Sequence, residues 1–421
     1  MKADIKIEKN VPMKRHTSFK VGGVADYFAK PSSLEEFMLL IKNFGEAKFS
    51  HGTLSNLDGK NGLNENRMPC TIIGGGTNLL VRDNGIRGLV ISLGYMKNEI
   101  QIVKDFHNVR ENMTISKLIE FDQKADEISC EEIKYGEQVK VSASAGTNLS
   151  TLCRKTIKLG LEDLSFAAGI PGTVGGAVMM NAGTGLGTIS NYLTSIDILD
   201  RDNNIKTLDK SELIFSHRKL EFKNLDLSDS MDSIGSNYSN FYSNLSCKFS
   251  NFSHKDNFPI KPIILRASFL LTKGSREKVE HSWRTLIEKR RASQPHGFPS
   301  AGCFFKNPIN NNLCSVDIEQ TPLNPHTMLS LSRLSSETKL SSKTQISTNQ
   351  TTISAGQLID MAGLKKRRVG DAMVSDKHAN FILNLGNATA SEIITLKDIV
   401  KESVFEKFGI MLSEEVIIQG E

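Results

Sequence analysis

Helical spacing and strand-like apolar runs both recur along this chain. Phe37, Leu40, Ile41 and Phe44 share one face, after Ser32-Ser33-Leu34-Glu35 and before Gly45. The pattern predicts a helix opened by a capping box and stopped by glycine. Thr71-Ile72-Ile73 reads as a buried strand, residues 89–93 as another, and residues 139–145 alternate as a third. Residues 148–159 repeat as an amphipathic helix with Gly160 as its stop, and residues 195–199 and 263–271 again read as strands. A helix over about 275–291 would turn Val279, Trp283, Leu286 and Ile287 inward. Ser391 reads as the cap of a long helix carrying Ile394, Ile399, Val400, Phe405 and Phe408 and ending at Gly409. Residues 412–418 read as a closing strand. Strands and helices mix without strict βαβ alternation, so the predicted fold class is α+β.

Three stretches break this order: about residues 49–69, 223–257 and 310–350, rich in Ser, Asn, Asp, Gly or Thr. Such compositions bury too little apolar area to offset chain ordering, so they read as surface insertions. The 421 residues suffice for two or three domains. With 52 Lys+Arg against 47 Asp+Glu, the net charge of +5 gives no nucleic-acid signature. The densest basic run, Lys365-Lys366-Arg367-Arg368, reads as a solvated loop or a phosphate contact. No signal-peptide core and no run of 18 apolar residues appears, so no membrane association is expected. Six scattered cysteines suit neither a metal site nor a disulfide framework, and a reducing cytoplasm is the expected compartment.

Two glycine-rich segments carry the chemistry. The first is Gly74-Gly75-Gly76-Thr77-Asn78-Leu79, directly after the 71–73 strand. The second is Ala168-Gly169-Ile170-Pro171-Gly172-Thr173-Val174-Gly175-Gly176, with further glycines at 183, 185 and 187. Bare backbone N–H groups in such loops can approach phosphate oxygens that a Cβ would block. Two of them suggest a clamp on a long, doubly charged ligand, for which a dinucleotide pyrophosphate is suitable. The first segment lacks the third glycine of the Rossmann fingerprint and the Lys-Ser/Thr of a Walker loop. Alone it would also suit a plain strand-to-turn connection.

Six ordered blocks resemble the UDP-N-acetylmuramate dehydrogenase family, also called UDP-N-acetylenolpyruvoylglucosamine reductases. They are Thr17-Ser18-Phe19-Lys20-Val21-Gly22-Gly23 with Ala25-Asp26, the two glycine-rich segments, and Ser300-Ala301-Gly302-Cys303-Phe304-Phe305-Lys306-Asn307-Pro308. Ala355-Gly356-Gln357-Leu358-Ile359-Asp360 and Leu412-Ser413-Glu414-Glu415-Val416 complete the set. The resemblance spans about residues 10–420 and implies a vanillyl-alcohol-oxidase-type flavoenzyme. It implies an FAD-binding subdomain over 1–94, a second over 95–290 and a substrate domain over 291–421. The glycine-rich segments would then hold FAD. NADPH would reduce the flavin, and the reduced flavin would pass hydride to carbon 3 of UDP-N-acetylglucosamine enolpyruvate.

The resemblance also implies roles. Cys303 occupies the family's Ser-or-Cys position that protonates carbon 2. A thiol with an ordinary pKa of about 8.5 is mostly protonated at neutral pH and can donate. Arg218 would pair with the substrate carboxylate, and Glu415 would share or orient the protonation. Asn307 and His378 would contact substrate, with Asn380 in the same loosely matching stretch. The family usually has Tyr before the catalytic Arg, where this chain has His217. The implied protein is a monomer acting on a small molecule, without nucleic acid or membrane. Two other readings stay open: a related flavin-dependent sugar or alcohol oxidase, and a flavin-binding module that has lost catalysis.

Overall fold

The computed structural model describes residues 6–44, 69–97, 99–104, 132–200, 203–223, 262–308 and 353–421. The three predicted insertions lie outside these residues, apart from Pro69 and Lys223, and so does Gly45. The chain divides into two compact units. The first comprises Met1–Pro12, Val24–Gly76 and Ile86–Arg290; the second comprises Met13–Gly23, Thr77–Gly85 and Arg291–Glu421. The chain passes from one to the other within the first glycine-rich segment, after Gly76.

The first unit holds two main sheets. In one, Ile7–Pro12 runs antiparallel to Val24–Ala29, followed by Ile86–Ser92 and Cys70–Ile73 in parallel. Cys70–Ile73 is an edge strand. That is why only Ile73 is buried, where the sequence suggested a fully buried strand. The helix Leu34–Phe44 buries Phe37, Leu40 and Ile41. Ser33 Oγ accepts the Glu36 N–H at 3.2 Å, and the Glu36 carboxylate accepts the Ser32 N–H at 2.6 Å. The cap is therefore Ser33 with Glu36, one residue later than the box within Ser32–Glu35 that the sequence suggested.

The second sheet is antiparallel throughout, in the order Ile205–Asp209, Leu193–Leu199, Ile263–Thr272, Gln138–Ser144, Ile100–Val103. Its central strand, Ile263–Thr272, is buried along nearly its whole length. The charge it carries, Arg266, meets Asp197 at 2.7 Å, and the Thr207 hydroxyl donates to the other Asp197 oxygen at 2.6 Å. Deleting one member of a buried pair like this typically costs about 3–5 kcal/mol, because the other charge stays behind. The helix Leu149–Lys158 starts at Asn148, whose side chain accepts the Ser150 N–H at 3.0 Å. The helix Arg276–Ser293 buries only Val279 fully; Trp283, Leu286 and Ile287 are half-buried. Its apolar face is narrower than the spacing suggested, because charged residues crowd both flanks.

The second unit packs Phe19, Leu80, Phe304 and Phe305 with the inner face of the helix Ala390–Phe408. Thr389, not Ser391, caps this helix: Thr389 Oγ1 accepts the Glu392 N–H at 3.1 Å, and the Glu392 carboxylate accepts the Thr389 N–H at 3.0 Å. The buried face is Ile393, Leu396, Val400, Val404 and Phe408. Ile394 and Ile399 are half-buried, and Phe405 is exposed. Gly409 ends the helix in the left-handed region, as expected. The closing strand is only Ile417–Gln419, parallel to Leu79–Val81. A three-stranded sheet of Arg368–Val369, Ala372–Val374 and Ile382–Asn384 completes the unit. The α+β class holds.

Candidate active site

In the first unit the two glycine-rich segments meet. A Cβ built on Gly74 would lie 2.5 Å from Thr173 Oγ1, so no larger residue fits without displacing that hydroxyl. Thr173 is itself fixed: its Oγ1 accepts the Gly176 N–H at 3.3 Å. The backbone on either side is pinned by Leu149 N–H to Gly172 O at 2.9 Å and Val174 N–H to Thr147 O at 2.8 Å. Gly172 has φ +113°, a conformation L side chains rarely adopt. Among the described residues, the N–H groups of Gly74, Gly75, Gly76, Gly169, Gly172 and Thr173 donate to no protein acceptor. Open donors without side chains in the way suit the oxygens of a pyrophosphate. Of the other predicted contacts in the second segment, Ala168 is buried, Ile170 and Pro171 are less so, and Gly175 packs against Ala145.

Arg218 sits at a hairpin tip in the same unit. Leu213–Ser216 pairs with Lys219–Phe222, leaving His217 and Arg218 as the turn. Arg218 has φ +59°. The left-handed region costs a non-glycine residue roughly 1–2 kcal/mol. Asn181 holds the hairpin from outside: its Nδ2 donates to Ser216 O at 3.1 Å, and its Oδ1 accepts the Ser190 N–H at 3.2 Å. Asn181 is buried and lies just beyond the second glycine-rich segment. No strand alternation marks this hairpin in the sequence, where Leu213, Ile214 and Phe215 are apolar in a row.

The second unit gathers the remaining residues. Phe304 and Phe305 are fully buried and anchor the Cys303 block, while Cys303 is half-buried. On one side of the block, Cys303 bridges to Phe381, and Phe304 N–H donates to Asn380 O at 2.7 Å. On the other side, Glu415 N–H donates to Phe304 O at 2.8 Å, and Lys306 N–H to Ser413 O at 2.8 Å. The expected Cys303 and Glu415 are therefore brought onto adjoining backbone. Asn78 reaches the same place: its Nδ2 donates to Glu415 O at 2.9 Å. These contacts take up residues 413–416, which is why the closing strand starts later than the sequence suggested.

The neighbouring acid, Glu414, is engaged elsewhere. Lys401 and Lys397 on the long helix stand 2.9 and 3.4 Å from its carboxylate. Burial pushes the Glu414 carboxyl up, but the hydrogen bond from Lys401 and the two ammonium charges outweigh it and hold it below the usual carboxylate range. His378 is half-buried, edge-on to Phe381 at 4.9 Å, and its Nδ1 accepts the Asn380 N–H at 3.3 Å. Burial holds its pKa below the ordinary value, with Lys365 adding to the effect. Asn307 is exposed, and its Oδ1 accepts the Ala355 N–H at 3.1 Å.

Asn380, from the same stretch as His378, is tied to the Cys303 block. It is buried, its Oδ1 accepts the Phe305 N–H at 2.9 Å, and its Nδ2 donates to Phe305 O at 2.8 Å. With both ends bound to Phe305, its side chain braces the Cys303 block. Of the basic run, Lys365 pairs with Asp360 and Arg368 with Asp371, and Lys366 and Arg367 are exposed. Among the described residues no His, Cys, Asp and Glu cluster could hold a metal.

Residues 294–419 match the model of the UDP-N-acetylenolpyruvoylglucosamine reductase C-terminal domain, and residues 63–209 match that of an FAD binding domain. A UDP-N-acetylenolpyruvoylglucosamine reductase of Caldanaerobacter subterraneus is 30% identical over 416 residues, covering 99% of this chain and 94% of the relative. One from Clostridium novyi is 31% identical, covering 99% and 92%. This chain belongs to the UDP-N-acetylenolpyruvoylglucosamine reductase family. The crystal structure of a UDP-N-acetylenolpyruvylglucosamine reductase from Thermus caldophilus shares the fold, with TM-score 0.57 and 24% identity, covering 99% of this chain and all of that one. As a member of this reductase family, the protein is an FAD-dependent oxidoreductase. The open N–H groups around Gly74 and Thr173 lie in or beside the matched FAD-binding region and fit such a cofactor. No helix among the described residues is long and apolar enough to cross a membrane.

Proposed function

We propose that this protein reduces UDP-N-acetylglucosamine enolpyruvate to UDP-N-acetylmuramate at the expense of NADPH, a cytoplasmic step in peptidoglycan precursor synthesis. When bound, FAD supplies the redox chemistry, carrying a hydride equivalent from NADPH to carbon 3 of the enolpyruvyl ether. The backbone of Gly74–Leu79 and of Ala168–Gly176, rather than their side chains, is proposed to hold it. Hydride addition leaves negative charge spread from carbon 2 into the carboxylate. Arg218 pairs with that carboxylate and stabilises the charge as it grows. The Cys303 thiol gives its proton to carbon 2, and the resulting thiolate regains a proton from solvent by way of Glu415. Asn307 and His378 contact the substrate. Neutral His378, with Nδ1 accepting a backbone N–H, presents its Nε2–H as a donor.

The observation that supports this reading is the bond between Glu415 N–H and Phe304 O, which ties the backbone of Glu415 to the residue after Cys303. Both adjacent glutamates run along the Cys303 block, Glu414 bridging Phe305, but the Glu414 carboxylate is bound by Lys397 and Lys401. The reading is tested by mixing anaerobically reduced holoenzyme with the enolpyruvyl sugar. The flavin absorbance returns within the turnover time if the reading is right, and a flavin that stays reduced rejects it.

A further inference from the structure

We infer that Asn78 is a positioning residue for Glu415: its side-chain amide serves the proposed acid's backbone and not the cofactor. The inference rests on the role proposed above for Glu415. The backbone of Glu415 is held at both ends. Its N–H is bound by the Phe304 carbonyl at 2.8 Å, and its carbonyl by Asn78 Nδ2 at 2.9 Å. The Asn78 carbonyl in turn accepts the Ile417 N–H at 3.0 Å. From there Leu79, Leu80 and Val81 pair with Ile417, Ile418 and Gln419.

Three residues of parallel pairing make a short ladder, which pins its first residues weakly. Glu415 lies two residues upstream of it. An asparagine side chain can imitate one more rung, since its amide N–H₂ donates as a backbone N–H does. Asn78 thereby extends the ladder across the gap to Glu415. Serine would be too short to span it from the same Cα, and aspartate would place an acceptor against the Glu415 carbonyl. A predicted cofactor contact is thus committed to the acid. Any disturbance of the first glycine-rich segment reaches Glu415 through one bond.

Asn78→Asp and Asn78→Ala are the variants to make, in the full-length holoenzyme. Flavin content and flavin reduction by NADPH are expected to match the wild type. Flavin reoxidation by the enolpyruvyl sugar is expected to slow by about tenfold or more, as a loss in rate and not in half-saturation. In a Glu415→Gln background the same substitutions are expected to change that rate less than about twofold, because coupled residues do not add. Hydrogen exchange of the flavin-free protein supplies a readout independent of turnover: the Glu415 amide should lose protection in both variants. Loss of flavin from both variants, an effect undiminished in the Glu415→Gln background, or unchanged exchange at Glu415 would each overturn the inference. A wild-type protein whose flavin the sugar never reoxidises indicts the proposed function instead, and the exchange result still judges the bond.

Discussion

Glu415 and Phe304, more than a hundred residues apart, share a backbone hydrogen bond of 2.8 Å from Glu415 N–H to Phe304 O. Cys303 precedes Phe304, so this bond ties Glu415 to the residue next to Cys303, the two being those proposed to handle the substrate's proton. Neither depends on a loop held only by its own side chains. The Cys303 block is anchored by two buried phenylalanines and clamped by Asn380, and Glu415 is clamped by Phe304 and Asn78. Such bracing keeps a proton donor and its partner within the narrow geometry that general acid catalysis requires.

Gly74→Ala is expected to destabilise the protein by about 1–3 kcal/mol, because the new methyl must displace the Thr173 hydroxyl from its cap on Gly176. It should also lower retained flavin. Thermal unfolding and the flavin-to-protein absorbance ratio check both. Full flavin with unchanged stability would show that the contact between the two segments is slack.

Arg218→Gly separates backbone from chemistry. At φ +59° glycine relieves the strain that arginine carries, so unfolding stability should stay within about 1 kcal/mol of the wild type. Turnover should fall by at least about 10²-fold, since the charge proposed to pair with the substrate carboxylate is gone. Urea unfolding and steady-state kinetics measure the two. A stable variant with wild-type turnover would remove Arg218 from the reaction.

The start of the long helix gives a pH dependence with a defined sign. Asp83 accepts the Ala390 and Ser391 N–H groups at 2.8 Å each and the Ser391 hydroxyl at 2.6 Å. Burial pushes its carboxyl up, but these hydrogen bonds outweigh it and hold the pKa below the ordinary value. A depressed folded-state pKa contributes stability above the unfolded value near 3.9 and loses it as pH falls through the folded value. Asp83→Asn should therefore cost about 1 kcal/mol at pH 7 and lose less than the wild type on going to pH 3. Urea midpoints at the two pH values decide; parallel losses in both proteins would contradict the assignment.

What the sequence reveals here follows from how local each signal is. The face of the Leu34–Phe44 helix, the strand Gln138–Ser144 and the stop at Gly409 depend on neighbouring residues and are legible, while the helix's cap was legible to within one residue, because Ser32 and Ser33 stand side by side before Glu35 and Glu36. The Ala390–Phe408 helix is harder, because apolar residues come in adjacent pairs: Ile393-Ile394, Ile399-Val400, Val404-Phe405. Either member could face inward, and tertiary packing selects Ile393, Val400 and Val404. Its cap was readable, since Thr389 has Glu392 three residues on whereas Ser391 has Ile394. Cys303 and Glu415 stood out only as members of matching blocks, and Arg218 only through the resemblance, at a position outside those blocks. The bracing by Asn78 and Asn380 was invisible, because bonds spanning 337 and 75 residues leave no periodic trace.

The central claim is that the Cys303 thiol supplies the proton to carbon 2, and single-turnover kinetics of Cys303→Ala test it most directly. Flavin reduction by NADPH should proceed at the wild-type rate, while reoxidation by the enolpyruvyl sugar should slow by about 10²-fold or more. Reoxidation at an undiminished rate in that variant would contradict the account.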